Sequence, residues 1–593
     1  MNCHEQNRSI FMPRHTTLSL HNMRFTAIGC LCATCVVLAT VFGCNRGQSP
    51  TASISGGAES IPKTADGGNS AAADSTAGTT APNAIQSALA AEKSGEQNPL
   101  AIDPTKTSAK GHAKQWWEAV YAYGAKIGWD HTEMTDLEEA GRKLVQVTNQ
   151  SHLSVDRQSQ RTTIDISTTT VETPTGEPVH FHSELISGPS RTETTGHIDD
   201  GQLTIETTTV GKTTKESFPW PVGTKGFSAT EESLADSPLL PGQRRTLKAL
   251  MPATNEVVAI DLVAQKYEST ALLDHSEDLL RIDSTITMPM HGPGDTPPVI
   301  HSQLWTNREG EVMKTAMAAL HQESFRTSRE LALAESGPRR LDLVFDNTVP
   351  VGRPLADPHA TRRIRYRVQL TSDDPAKVFA NGSLQQVVSL DPHTAEITVR
   401  RIDFSSEPLG TPNSDAGSSK TARQPTEQDR APNNLVQSDD EKVVAMARSV
   451  VPDETDPAKL APALEKFVKQ TIKLKDFSQA FATAAEVARL PEGDCTEHAV
   501  LLAALARARN IPARVAIGLV YQPSTQSFAY HMWNELWIAD RWVPMDATLG
   551  RGGIGAAHLK LTDSNLAGAQ AYSCFLPVAQ VIGQIKIEIL EVE

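Results

Sequence analysis

One stretch, residues 490–550, constrains this chain more than any other. Gly493-Asp494-Cys495-Thr496-Glu497-His498 reads as the opening of a helix. Asp494 suits the N-cap, and Glu497 three residues on completes a capping box. Cys495 then takes the first helical position, where the helix dipole and free backbone N–H groups stabilise an anion. That setting favours a thiolate, and the same N–H groups can hold an oxyanion. Ala499, Leu502, Ala503 and Ala506 share the face that carries Cys495. The helix is expected to stop near Asn510, ahead of Ile511-Pro512.

Two strands should follow. Val515, Ile517, Leu519 and Tyr521 alternate, and after a loop at 523–527 the next strand puts His531, Trp533, Glu535 and Trp537 on one face. A two-residue turn at Ala539-Asp540 pairs Ile538 with Arg541. Carried back along the strands, this register sets Asp546 opposite Trp533, with His531 as its diagonal neighbour on the same face. Diagonal side chains start roughly 7–8 Å apart, within reach of long polar groups. A three-residue turn would reverse the parity, unless a bulge near Pro544 restored it.

Cys495, His531 and Asp546, on helix start, strand and strand, are the parts of an activated thiol nucleophile. His531 would take the thiol proton and later protonate the leaving amine. Asp546 would hold the imidazole in the useful tautomer. This order and context resemble the transglutaminase-like superfamily, which shares its chemistry with papain-type cysteine proteases. The resemblance implies an α+β fold for residues 441–593, with the nucleophile helix packed on an antiparallel sheet. It implies a thioester on Cys495 formed from a peptide or glutamine amide, resolved by water or an amine. Bacterial members are often hydrolytic, which points to a peptidase or amidase acting on a protein or peptide substrate. The mechanism needs no metal or organic cofactor.

Other readings stand beside these. Cys495 could be a small buried hydrophobe, or could pair with Cys574 in an oxidising compartment. His498, one turn after Cys495, is a rival base and a site-lining residue. Trp533 either shields the site or packs in the core, and Glu535 reads as a structural partner. Cys495, His498, His531 and Cys574 match no common zinc spacing. Gly550-Arg551-Gly552-Gly553-Ile554-Gly555 fits GxGxxG by letters, but no βαβ unit follows, so it reads as a loop. Gln479 is a second oxyanion donor by residue type alone.

Cys3, Cys30, Cys32, Cys35 and Cys44 crowd the first 44 residues, so the cysteines form no disulfide framework. Residues 25–43 are an uncharged apolar run behind Arg14, His21 and Arg24. That is an export-signal layout. The run ends in Val41-Phe42-Gly43-Cys44, which resembles a bacterial lipoprotein lipobox. The resemblance implies lipidation at Cys44; an uncleaved membrane anchor is the runner-up. Either would hold the protein to a membrane on the periplasmic side of a bacterial cell envelope.

At 593 residues the chain suggests roughly three or four folded units. Residues 1–44 read as signal or anchor. Residues 45–110, rich in Ser, Thr, Ala and Gly, read as a disordered tether. Residues 111–340 look β-rich: 162–166 and 203–207 alternate, and Asp200-Gly201 is a hairpin signal. Trp116, Trp117, Trp129 and Trp220 read as core there. Residues 341–404 form a second β segment whose Arg363, Arg365 and Arg367 line a solvated face. Residues 405–440 read as a polar linker. The net charge of −15 and the lack of a basic stripe exclude nucleic-acid binding. A function of another class, a non-catalytic envelope binding or assembly module built on the β-rich region, is the alternative to an enzyme.

Overall fold

The structure is a computed structural model. It describes residues 114–593 apart from 158–159, 252–253, 290–296, 336, 338–340, 343–347, 403–422, 474–480 and 570. The expected signal, Cys44, the tether and Gln479 lie outside the described residues.

The N-terminal part is one antiparallel sheet of fourteen strands. Eight form a meander: β1 (Lys114–Ala122), β2 (Ala125–Glu139), β3 (Arg142–Arg157), β4 (Gln160–Glu172), β5 (Pro178–Ser187), β6 (Ser190–Asp199), β7 (Gln202–Thr209) and β8 (Lys212–Pro219). Six more form a second: β9 (Arg244–Met251), β10 (Glu256–Ala271), β11 (Ser276–Thr287), β12 (Val299–Thr306), β13 (Val312–Met317) and β14 (Gln322–Thr327). Pairing of β1 with β14 fuses the two. An isolated bridge joins Lys225, in the segment after β8, to Ala249 on β9. Asp200-Gly201 makes the expected tight turn, with φ of 46° and 72°, and Tyr123-Gly124 makes another, at 50° and 73°. Both residues of each turn are left-handed, the geometry that matches strand twist in two-residue hairpins.

Burial alternates along β4 and β7, as their Thr-rich pattern requires. Trp116 is buried, while Trp117 and Trp129 are half-buried. Trp117 stacks on His131 at 4.0 Å between ring centroids.

A second sheet orders β15 (Val349–Pro350), β20 (Ser527–Ile538), β19 (Ala513–Gln522) and β22 (His558–Ser564), with β21 (Arg541–Met545) also on β20. A third joins β16 (Arg363–Leu370), β17 (Gln385–Asp391) and β18 (Thr394–Arg400) to the C-terminal strand β23 (Ile585–Val592). The second β segment is therefore welded to the end of the chain. Its arginines are paired rather than open to an acidic partner: Arg367 meets Glu588 at 3.0 Å, and Arg365 meets Glu396 and Glu591, both at 3.3 Å.

Four helices lie beside the second sheet: α1 (Glu441–Ser449), α2 (Pro457–Thr471), α3 (Ala484–Arg489) and α4 (Cys495–Ala508); α4 and α2 pack on it, and α1 and α3 pack on α4. Asp440, Asp456 and Thr483 cap the first three through their side chains. Ahead of them, residues 433–438 are buried, Leu435 and Val436 among them. A single apolar core runs from the inner face of the large sheet (Ile127, Leu153, Ile164) to Leu464, Leu501, Leu519 and Val543. Among the described residues no helix is long and apolar enough to cross a membrane.

Candidate active site

The helix α4 starts where its capping residues require. The Asp494 carboxylate accepts from the Thr496 amide at 2.8 Å, and Glu497 accepts from the Asp494 amide at 2.9 Å. Gly493 sits at φ 135°, and a Cβ there would lie 2.4 Å from the Glu497 side chain. The capping box thus demands glycine before it. Residues 495–507 are all buried, so α4 is a central helix, enclosed on every side, rather than an amphipathic one. Asn510, at φ 60°, ends it.

Asn534 on β20 anchors this helix by donating to the Ala499 carbonyl at 2.8 Å. Ala499 lies one turn beyond Cys495, so the bond fixes the first turn against the sheet. Asn534→Ala should cost about 1–3 kcal/mol, because a buried carbonyl loses its partner; denaturant unfolding measures it.

The hairpin turn falls where the sequence places it. Ala539 and Asp540 both have positive φ, 49° and 57°, and Ile538 pairs with Arg541 while Asn534 pairs with Met545. Asp546 follows β21 directly. His531 Nε2 and Asp546 Oδ2 stand 2.8 Å apart, both groups buried. Burial opposes ionisation of Asp546, but His531 and His558 outweigh it and hold the carboxyl well below its usual range. Asp546 is therefore an acceptor, and His531 donates through Nε2–H. The Nδ1 of His531 is then the nitrogen that carries a lone pair. Asp546 Oδ1 accepts from the amides of Thr548 at 2.8 Å and Leu549 at 3.2 Å, an Asx turn that locks the carboxylate.

Two residues of this site escaped sequence reasoning. His558, on β22, brings its Nε2 to 3.3 Å from Asp546 Oδ2. Burial pushes its pKa down, so it is a neutral imidazole donating to the same oxygen. Glu465, on α2, accepts from the Asp546 amide at 3.0 Å, the Gly552 amide at 2.6 Å and the Gly553 amide at 3.2 Å. The GxGxxG letters thus form a loop whose Gly552 and Gly553 amides bind a carboxylate of this chain. A lone His in a strand and a lone Glu in a helix carry no local signal of either role. Pattern alone could only have flagged Glu465 as an acid on the apolar face of α2.

Burial pushes the Glu465 carboxyl up to about 7. It pushes Glu497 to about 8, with help from the charge of Asp494. Glu172, at the end of β4, and Glu232, in the helix Ala229–Asp236, rise to about 8 and about 7, again through burial first. Acids raised in the folded state hold protons that the unfolded chain releases above about pH 4.3. Their stabilisation is complete below that pH and is lost as pH rises through 7 to 8. Melting temperature should therefore fall between pH 5 and pH 8, and Glu465→Gln should flatten the slope. A melting temperature that rises across this window would contradict the assignment.

The remaining sequence candidates separate. His498 donates through Nδ1–H to the Asp494 carbonyl at 2.5 Å, which ties the ring to its own helix. Trp533 is buried with its ring stacked beside His531, centroids 6.2 Å apart. Glu535 binds Arg514 at 2.6 Å and Lys560 at 2.7 Å, a structural cluster. Cys574 is a free buried thiol pushed up to about 12 by burial, so it does not pair with Cys495. Cys495 is itself disulfide-bonded. The four residues considered for zinc do not assemble. Among the described residues the group close enough to share a metal ion is His531, Asp546 and His558, with polar atoms within 4.8 Å of one another. Their mutual hydrogen bonds already satisfy the geometry.

Residues 444–547 match the family model of the transglutaminase-like superfamily. No curated protein matches the chain. Among solved structures, a candidate cysteine protease from Cytophaga hutchinsonii is 15% identical over 39% of this chain and 89% of its own, with a TM-score of 0.26. A β-barrel-like domain of unknown function from Brucella abortus is 14% identical over 37% of this chain and 97% of its own, with a TM-score of 0.24. A candidate protease from Parabacteroides distasonis is 10% identical over 60% and 64%, with a TM-score of 0.16. At such scores these likenesses carry no argument. Family match, capped cysteine helix and hairpin meet in one place, and the C-terminal part of this chain carries a transglutaminase-like domain.

Proposed function

We propose that the protein is a cysteine-dependent acyl-transfer enzyme acting on peptide or glutamine amides. The observation that carries this reading is the buried His531–Asp546 pair beside a capped helix that begins with Cys495. The Cys495 thiol gives its proton to His531 Nδ1, and the thiolate attacks the amide carbonyl. Backbone N–H groups at the start of α4 receive the oxyanion. The C–N bond breaks as the imidazolium protonates the amine, leaving a thioester. Water, deprotonated by His531, attacks that thioester and releases acid and thiol; an amine in its place gives transfer. The substrate is a protein or peptide.

The thiol is the reactive form, so the test begins with reduced, full-length protein. Alkylation of Cys495 is followed against pH by mass spectrometry of its peptide. A thiolate reacting well below pH 8, and slowed by His531→Ala, supports the enzyme. A thiol that titrates near 8.5, as a free cysteine does, returns the function to a binding module of the β-rich region. The same reading places the enzyme outside the cytoplasm, held to the envelope membrane through a lipid on Cys44 or through the apolar run at 25–43. Fatty-acid labelling lost in Cys44→Ser distinguishes the lipid from the span.

A further inference from the structure

Arg157, the last residue of β3, is fully buried, and its Nη2 donates to Oδ2 of Asp494, the cap of the nucleophile helix. The two residues are 337 positions apart in sequence. Arg157 comes from the large N-terminal sheet, outside the segment that matches the family. The other carboxylate oxygen of Asp494 accepts from the amide and hydroxyl of Thr496, both at 2.8 Å. Asp494 therefore has a full set of partners, and only Arg157 among those named brings positive charge.

The charge matters because of what lies next door. Cys495 follows Asp494 directly, and a buried carboxylate there would repel a thiolate. The titratable groups of the candidate site are the cap Asp494, Glu497 and His498 from α4, His531 from β20, Asp546 after β21 and His558 from β22, with Arg157 from β3 bound to Asp494. Glu497, pushed up to about 8, is mostly protonated at neutral pH. Asp546 is matched by its two imidazoles. That leaves Asp494 as the carboxylate whose neutralisation depends on Arg157.

We propose that Arg157 is a positioning residue for the nucleophile, neutralising the cap carboxylate so that the helix terminus can stabilise the Cys495 thiolate. It makes the large sheet an electrostatic part of the active site rather than an appended domain. This inference rests on the proposed role of Cys495. Other contacts keep the sheet docked when Arg157 is changed: Ser190 bonds Glu486 at 2.9 Å, Asn434 bonds the Thr207 carbonyl at 2.8 Å and Asn255 bonds the Ala569 carbonyl at 3.1 Å.

The test compares iodoacetamide alkylation of reduced Cys495 against pH in the full-length chain, with thermal melts alongside. Arg157→Met should move the alkylation midpoint up by about one pH unit, a roughly tenfold loss of rate below it. Arg157→Lys, which keeps the charge, should recover most of that loss. Arg157→Met combined with Asp494→Asn should also recover it, because no charge is left to oppose the thiolate. Asp494→Asn alone keeps a good cap and leaves the guanidinium unopposed, so its midpoint should move down. An Arg157→Met profile that superposes on an activated wild-type profile, whatever happens to the melt, overturns this inference alone. Should Arg157→Met not fold, an upward or absent shift in Asp494→Asn overturns it. A wild-type Cys495 that titrates as an ordinary thiol overturns the proposed function, and this inference with it.

Discussion

Cys495→Ala is expected to abolish turnover of peptidyl and glutamine amides, a fall of about 10⁶-fold in kcat if the loss matches that of other covalent nucleophiles. The reason is specific to this helix. Cys495 is the first residue of α4, and the preceding capping box already satisfies the amides of Asp494 and Thr496. Removing the sulfur leaves that frame intact, since alanine is the best helix former and fits a buried site shaped for a small side chain. With both proteins reduced, the variant should melt within about 1 kcal/mol of the parent, so that folding and chemistry separate. The measurement is hydrolysis of a panel of peptidyl and glutamine amides, with intact-mass detection of a thioester adduct on the parent. A Cys495→Ala variant that retains full activity would sink the enzyme reading.

The same local frame explains why this part of the molecule was legible in sequence. Asp494 and Glu497 declare the helix start, Asn510 its end, and the turn at Ala539-Asp540 sets a register that brings Asp546 to His531. Each is a short-range device, readable from a few neighbouring letters. In the large sheet the Asp200-Gly201 turn and the threonine alternation of β4 and β7 were readable for the same reason. That fourteen strands join as one sheet was not, because the β1–β14 pairing spans some two hundred residues of chain. Residues 423–440 looked like open linker because polar letters dominate, yet Leu435 and Val436 are buried. The remaining members of the site were hidden for a related reason. His558, Glu465 and Arg157 act through tertiary contacts to Asp546 and Asp494, and nothing beside them in sequence announces those partners. A pattern finds residues whose role is set by their own element; it is blind to those whose role is set by another.

Asp546→Asn should lower kcat/KM on the order of 10³-fold while leaving the fold in place. The site offers an amide no good orientation. One carboxylate oxygen faces two imidazole N–H groups, at 2.8 Å from His531 and 3.3 Å from His558. The other faces two backbone N–H groups, at 2.8 Å from Thr548 and 3.2 Å from Leu549. The NH₂ of asparagine must confront donors on one side or the other. Backbone amides cannot change what they donate, whereas an imidazole can move its proton. The asparagine NH₂ should therefore face the histidines, driving His531 into the tautomer with its proton on Nδ1. That proton occupies the nitrogen meant to accept from Cys495. The equivalent change costs about 10⁴-fold where a serine must be deprotonated; a thiol is more acidic, so the smaller figure is expected here. The tautomer argument also gives a second readout. His531→Ala and Asp546→Asn act on the same proton, so the double variant should be little worse than His531→Ala alone, as expected for residues that work as a unit. Losses that multiply, or an Asp546→Asn enzyme within tenfold of the parent, would mean that Asp546 only ends a strand and that His531 is held by something else.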